Sequence, residues 1–166
     1  MTETFQEYTA RLLWLFADAD PFDVLASTPA TIAGWIAGRR PGDLQRSPAP
    51  GRWSVAQIVA HLADSEIVFA YRVRMILASP GTAIQAYDQD AWSRVQHADR
   101  SDPQRSLALF TALRESMLPL LRGLNAEELD RYGIHAERGK ESVRHLLALY
   151  AGHDRNHLGQ IERLLT

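Results

Sequence analysis

The sequence predicts an all-α protein, a four-helix bundle with an additional N-terminal helix and short helices in its loops. Three observations predict it. Apolar residues recur three and four positions apart along most of the 166 residues, and no segment alternates with period two. Capping residues and prolines punctuate the chain where helices should begin. Four amphipathic segments are long enough to pack around a shared core, with loops of moderate length between them.

Taken in order, Phe5, Tyr8, Leu12, Leu15 and Phe16 form a stripe on the N-terminal helix, an extension over residues 1–20. Asp20-Pro21 and Thr28-Pro29 each set a capping residue before a proline. The second pair predicts a helix from Pro29 to Ala37, ended by Gly38 and a turn at Arg39-Arg40-Pro41-Gly42. Trp53-Ser54-Val55-Ala56-Gln57-Ile58 is a capping box, Ser54 the cap and Gln57 reaching back, with Trp53 and Ile58 as its staple. That helix runs to Ala78 with Val55, Ile58, Val59, Leu62, Phe69, Val73 and Ile76 inward, and Glu66 in the same line.

Between Pro80 and Ser101 the periodicity fades into a loop with one short helix near Ala91–Gln96, and substrate contacts are expected from it. Asp102-Pro103 opens a helix carrying Leu107, Phe110, Met117, Leu118 and Leu121, which Pro119 should kink or end. Asn125-Ala126-Glu127-Glu128 is a second capping box, and Arg131–Glu141 reads as a polar loop. Ser142 caps the last helix, whose inward stripe is Val143, Leu146, Leu147, Tyr150, His153, His157, Ile161 and Leu164. No repeat or linker divides residues 1–166, which read as one domain.

The net charge of −2 and the lack of a basic run exclude a general nucleic-acid binder. No apolar run reaches the roughly 20 residues that span a bilayer, and the acidic N-terminus lacks a signal-peptide pattern, so a cytoplasmic location is expected. With no cysteine, thiolate ligands and a cysteine nucleophile are excluded.

His153 and His157 stand one helical turn apart on the inward stripe. Two such imidazoles must both be satisfied in the core, and one metal ion at about 2.0–2.1 Å from each ring nitrogen does so in a single step. His61, at the edge of its helix's apolar face, supplies a third ligand. The spacing His153-Asp154-Arg155-Asn156-His157 carries aspartate where the zinc-protease motif has glutamate. Gly133-Ile134-His135-Ala136-Glu137-Arg138-Gly139-Lys140-Glu141 has the wrong spacing and no magnesium-binding hydroxyl for a phosphate loop. His97, His135 and His145 are expected at the surface. Glu66 has two readings: an internal ion pair with Arg114, which sits in a similar inward slot, or a proton acceptor near the metal.

Pro48 to Glu66, containing Gly51-Arg52-Trp53-Ser54 and His61, together with Gly152-His153-Asp154-Arg155-Asn156-His157-Leu158-Gly159-Gln160-Ile161, resembles the DinB/YfiT-like family of metal-dependent proteins; His135 to Gly139 adds to the likeness. It covers Pro21 to the C-terminus. The resemblance implies an up-down-down-up bundle, often a homodimer, with a metal triad that falls on His61, His153 and His157. The resemblance leaves the reaction open, but characterised members of the family include thiol S-transferases, and the expected activity is that of a thiol S-transferase, in which a small-molecule thiol attacks an electrophilic substrate. Metal-dependent hydrolysis, and a non-catalytic metal-binding scaffold of the stress response, remain as alternatives. Three imidazoles suit zinc or nickel first, then iron or copper; three protein ligands leave a coordination position open, which favours catalysis over a closed structural site.

Overall fold

A computed structural model describes residues 4–15 and 19–166; Phe16 of the N-terminal stripe lies outside them. The elements are α1 (Phe5–Leu15), α2 (Pro21–Ile36), α3 (Pro41–Leu44), α4 (Val55–Ala78), β1 (Ala83–Ile84), α5 (Gln89–Val95), α6 (Pro103–Arg122), α7 (Ala126–Asp130), β2 (Tyr132–His135), β3 (Gly139–Ser142) and α8 (Val143–Leu165). Helices α2, α4, α6 and α8 form the bundle, with α4 and α2 each packed between α6 and α8.

Chain direction follows from which residues share each end. At one end Val24 and Leu25 of α2 meet Phe69, Val73 and Ile76 of α4, Met117 and Leu121 of α6, and Val143 and Leu146 of α8. At the other, Ile32 and Ile36 meet Val55, Ile58 and Leu62, Leu107 and Phe110, and Ile161. Helices α2 and α8 therefore run one way and α4 and α6 the other, an up-down-down-up arrangement. Because α4 and α6 are parallel neighbours, the segment between them must travel back along the bundle, a rise of about 36 Å for a helix of this length. That return path carries β1 and α5.

The caps do what their residue types dictate. Ser54 accepts from the Gln57 N–H while Gln57 accepts from the Ser54 N–H, at 3.3 and 3.0 Å. Asn125 and Glu128 form the second such box, and Ser142 caps α8 by accepting from the His145 N–H.

Four expectations are corrected. Helix α2 starts at Pro21, capped by Asp20, so Pro29 lies inside it rather than opening a helix. A proline there deprives the carbonyl four residues back of its N–H. That carbonyl, Leu25 O, instead accepts from Nη1 of Arg114 at 2.7 Å, which lets the helix run on. The turn after Gly38 contains the one-turn helix α3, closed over buried Leu44. The polar loop Arg131–Glu141 is a hairpin: β2 and β3 pair antiparallel and β1 joins β2 in parallel. Its inward positions on β2 are Gly133 and His135 while Ile134 is exposed, so no apolar alternation announces it. His135 is consequently buried, not a surface residue; His97 is exposed and His145 half-buried.

Helix α1 packs along α8. The backbone of Leu12 approaches Gly152 so closely that a β-carbon there would lie 2.0 Å from the Leu12 carbonyl oxygen, which only glycine permits. Arg11 reaches over to donate to Asn156 at 2.8 Å. Among the described residues, no helix is long and apolar enough to cross a membrane.

Candidate metal centre

The two apolar ends of the bundle are separated by a polar layer, and each helix reaches it at the expected place. Glu66 lies between Leu62 and Phe69, Arg114 between Phe110 and Met117, and Asp154 between Ala151 and Ile161. Arg114 Nη2 donates to Glu66 Oε2 at 2.8 Å and Nη1 to Asp154 Oδ2 at 2.7 Å, with all three side chains about 1 % exposed or less. Burial opposes the guanidinium charge, but Asp154 and Glu66 outweigh it and raise the pKa. Burial also pushes the Glu66 carboxyl up, against the pull of Arg114. The ion pair expected between Glu66 and Arg114 is present, and Asp154 adds a second carboxylate to it.

Beside this cluster, α4 and α8 bring three buried imidazoles together. His61 Nε2 lies 3.0 Å from His153 Nε2, which lies 3.1 Å from His157 Nε2, and the ligand-type nitrogens of all three fall within 4.8 Å of one another. Position explains this: His153 and His157 are one turn apart on α8, and α4 runs antiparallel beside it. The Trp53 ring, at the start of α4, rests against His61 with centroids 5.0 Å apart.

Burial lowers the pKa of all three rings, that of His157 to about 4 and those of His61 and His153 well below the ordinary histidine value. Neutral imidazoles are thereby favoured, the form that ligates a metal. The His157 tautomer is set as well. Its Nδ1 faces Gln160 Oε1 at 2.9 Å; an oxygen can only accept, so Nδ1 carries the proton and Nε2 presents a lone pair inward.

Three converging nitrogens cannot all be satisfied by one another, since each contact can share at most one proton. A cation at their centre satisfies all three. A tetrahedral ion with bonds of about 2.1 Å keeps its ligand nitrogens about 3.4 Å apart, close to the separations found. Among the described residues no further histidine, aspartate or glutamate joins the cluster. The donor set fits a divalent transition metal with positions to spare.

His61 and His153 form one wall of a cavity of about 360 Å³. Ser65, Arg72, Tyr87 and His135 also line it. Ser65 Oγ is 3.4 Å from His61 Nε2 and 2.9 Å from the Tyr87 hydroxyl. Burial raises the Tyr87 pKa, so the phenol keeps its proton at neutral pH and can donate. Tyr87 belongs to the segment after Pro80 from which substrate contacts were expected. Glu66 points to Arg114 and away from this wall.

Sequence reasoning missed Asp154, Gln160, Ser65 and Arg72. Spacing could have found the first three: Asp154 is four residues after Tyr150 and seven after Leu147, Gln160 one turn after His157, and Ser65 one turn after His61. The burial of Arg72 depends on the hairpin and carries no such signal.

A four-helix bundle that brings three histidines together on two of its helices defines the candidate site, and similar proteins are known. Residues 25–161 match the sequence model of the DinB superfamily, and the chain belongs to that superfamily. It is 32% identical to a Bacillus subtilis protein named "Putative metal-dependent hydrolase YfiT", over 85% of this chain and 80% of the relative. A similarly named Oceanobacillus iheyensis protein is 32% identical over 73% of this chain and 70% of its own length. The solved structure of Bacillus subtilis YfiT superposes with a TM-score of 0.81 at 27% identity, covering 98% of this chain and 88% of that one; it is described as "a probable metal-dependent hydrolase with an unusual four-helix bundle topology".

Proposed function

We propose that this protein is a metal-dependent enzyme in which His61, His153 and His157 hold one divalent transition ion, zinc or nickel before iron, and that its reaction class is hydrolysis. The observation that carries this reading is the convergence of three buried, neutral imidazole nitrogens, with two of the rings, His61 and His153, lining a cavity. The names of the relatives support the same class.

A divalent ion in such a site supplies Lewis acidity, polarising a substrate carbonyl and making a nucleophile available near neutral pH. The chain's own residues supply the rest. Gln160 fixes the His157 ring so that its lone pair faces inward. The Glu66–Arg114–Asp154 cluster locks α4, α6 and α8 in register, and so holds His61 opposite His153. Tyr87, oriented by Ser65, presents a hydroxyl to a bound substrate. Leu12 and Leu149 add apolar surface to the cavity lining.

Transfer of a small-molecule thiol to an electrophile uses the same open coordination. No residue of the cavity selects sulfur over water, and the relatives' names speak for hydrolysis, so the thiol reaction ranks second. The test begins with metal content. Purified protein is expected to hold about one divalent ion per chain, and a His153→Ala/His157→Ala variant to hold none. Full retention in that variant overturns the site. With metal bound, ester and amide panels run beside thiol-conjugation panels decide between the two reactions, and His61→Ala is expected to lose whichever is found.

A further inference from the structure

Among the described residues that line the cavity, Arg72 is the buried one whose charge no carboxylate answers. It is 5 % exposed, and among the described residues no carboxylate lies within salt-bridge distance of it. The only oxygen it bonds is the Gln85 carbonyl, from Nη2 at 2.5 Å. Buried charges are normally paired, because an isolated one costs several kcal/mol. Arg114, equally buried one helix away, has two carboxylates; Arg138 at the cavity's rim has Glu141. Arg72 has a carbonyl dipole and an opening.

The residue beside it brings no negative charge. Nη2 of Arg72 is 3.5 Å from Nε2 of His135. Burial, with Arg138 nearby, keeps the His135 pKa low, so this ring is neutral and the positive charge is that of Arg72. Glu137 also lines the cavity, but it is exposed.

We propose that Arg72 binds a carboxylate of the substrate and thereby sets the enzyme's specificity for organic acids. The proposal rests on the reading of the histidine cluster as the reactive end of the same cavity. Arg72 lies on the same face of α4 as His61 and Ser65, eleven residues beyond His61, a rise of about 16 Å. Helical side chains lean toward the N-terminus, so the guanidinium reaches back toward His61 and shortens that span. The ligand is accordingly elongated: an acid whose hydrolysable bond lies several bonds from its carboxylate. A planar guanidinium matches that group, and a cavity of about 360 Å³ holds a small molecule and little more.

The experiment uses metal-loaded protein and three probes, each with a six-carbon chain, hexanoate, hexanamide and hexyl phosphate, read by calorimetry and thermal shift at millimolar concentration. Hexanoate is expected to bind and raise the melting temperature, hexanamide to do neither, and hexyl phosphate to bind more weakly. R72Q is expected to weaken hexanoate at least tenfold with metal content unchanged, and R72K to recover part of it. The ligand-free melting temperature of R72Q is expected to equal or exceed that of wild type, since an uncompensated charge has been removed; a marked fall would mean a structural arginine and overturn the proposal. Equal hexanoate binding in R72Q, no binding to wild type, or a preference for the phosphate would overturn it too. Hexanoate binding that survives in the metal-free His153→Ala/His157→Ala variant supports Arg72 as the anchor, whereas loss there with R72Q unaffected places the carboxylate on the metal instead. Metal retained by that histidine variant would sink the metal reading alone and leave the carboxylate result to stand by itself.

Discussion

Two polar clusters lie side by side in this core, and they solve opposite problems. Around Arg114 a permanent cation is built into the chain and two carboxylates close on it at 2.8 and 2.7 Å. Around His153 three neutral lone-pair donors face one another at 3.0 and 3.1 Å with no cation of their own. The first cluster is sealed and carries its own counter-charges, with only Glu66 Oε1 and Arg114 Nε left without a hydrogen bond among the described residues; it touches α2 as well, through Leu25 O, and so ties all four bundle helices. The second is incomplete without a partner and opens on a cavity. A cation that cannot leave makes a structural joint, and one that can be exchanged makes a site. Asp154 belongs to the first cluster while its sequence neighbour His153 belongs to the second, so the joint positions the site directly.

The sharpest way to break the comparison is to take away the built-in cation. Arg114→Met leaves Glu66 and Asp154 buried without a counter-charge and Leu25 O without its donor. Removing one member of a buried ion cluster costs about 3–5 kcal/mol, so a large fall in the denaturation midpoint is expected, with metal affinity lost as α4 and α8 separate. A midpoint close to wild type would show that the joint does not hold the bundle.

The second test titrates the other cluster. In metal-free protein the His157 pKa is about 4, against roughly 6.5 in an unfolded chain. A depressed histidine contributes stability that is complete above the unfolded value and is lost as pH falls toward the folded one. Stability is therefore expected to drop between about pH 6.5 and pH 4, by roughly 3 kcal/mol from His157 alone. Metal should steepen the acid loss, because protons then also expel the ion. Denaturant curves at stepped pH, with and without chelator, measure both. A flat profile for metal-free protein would mean that the rings are not held neutral.

The two clusters differed in how legible they were. The histidine pair was readable because polar rings four apart on an apolar stripe conflict with simple burial, and the capping boxes at Ser54 and Asn125 are local chemistry. Glu66 and Arg114 were readable as a pair because each interrupts an apolar line. Pro29 misled, since its place inside α2 depends on a donor from α6, a contact no local window contains. The hairpin was invisible because its inward residues are Gly133 and His135. The burial of Arg72 was hidden for the same reason: the hairpin and the segment at Gln85 are what cover it.

Glu66 is where the clusters could exchange roles, and Glu66→Gln distinguishes them. As part of the joint, the substitution keeps one hydrogen bond to Arg114 but removes a charge, for an expected loss of roughly 1–3 kcal/mol with turnover otherwise intact. A large rate loss at unchanged stability would instead make Glu66 a proton acceptor and merge the two clusters functionally.

The smallest expected effect concerns Gln160, which belongs to the site alone. Its Oε1 accepts from Nδ1 of His157 at 2.9 Å and fixes which nitrogen faces inward. Without it the ring can turn or take the other tautomer, and the ordered ligand becomes one state among several. Loss of such an orienting partner weakens metal binding by about 10–100-fold, while the half-buried position and the lack of any tie to Arg114 predict little change in the stability of metal-free protein. Gln160→Ala should therefore separate affinity from stability: weaker in a chelator competition, unchanged in a denaturant curve. Gln160→Glu should restore affinity, since a carboxylate accepts from Nδ1–H at least as well. Were Gln160→Ala to lower stability and leave affinity intact, Gln160 would belong with the joint, and the division between sealed and exchangeable cation would fail at this residue.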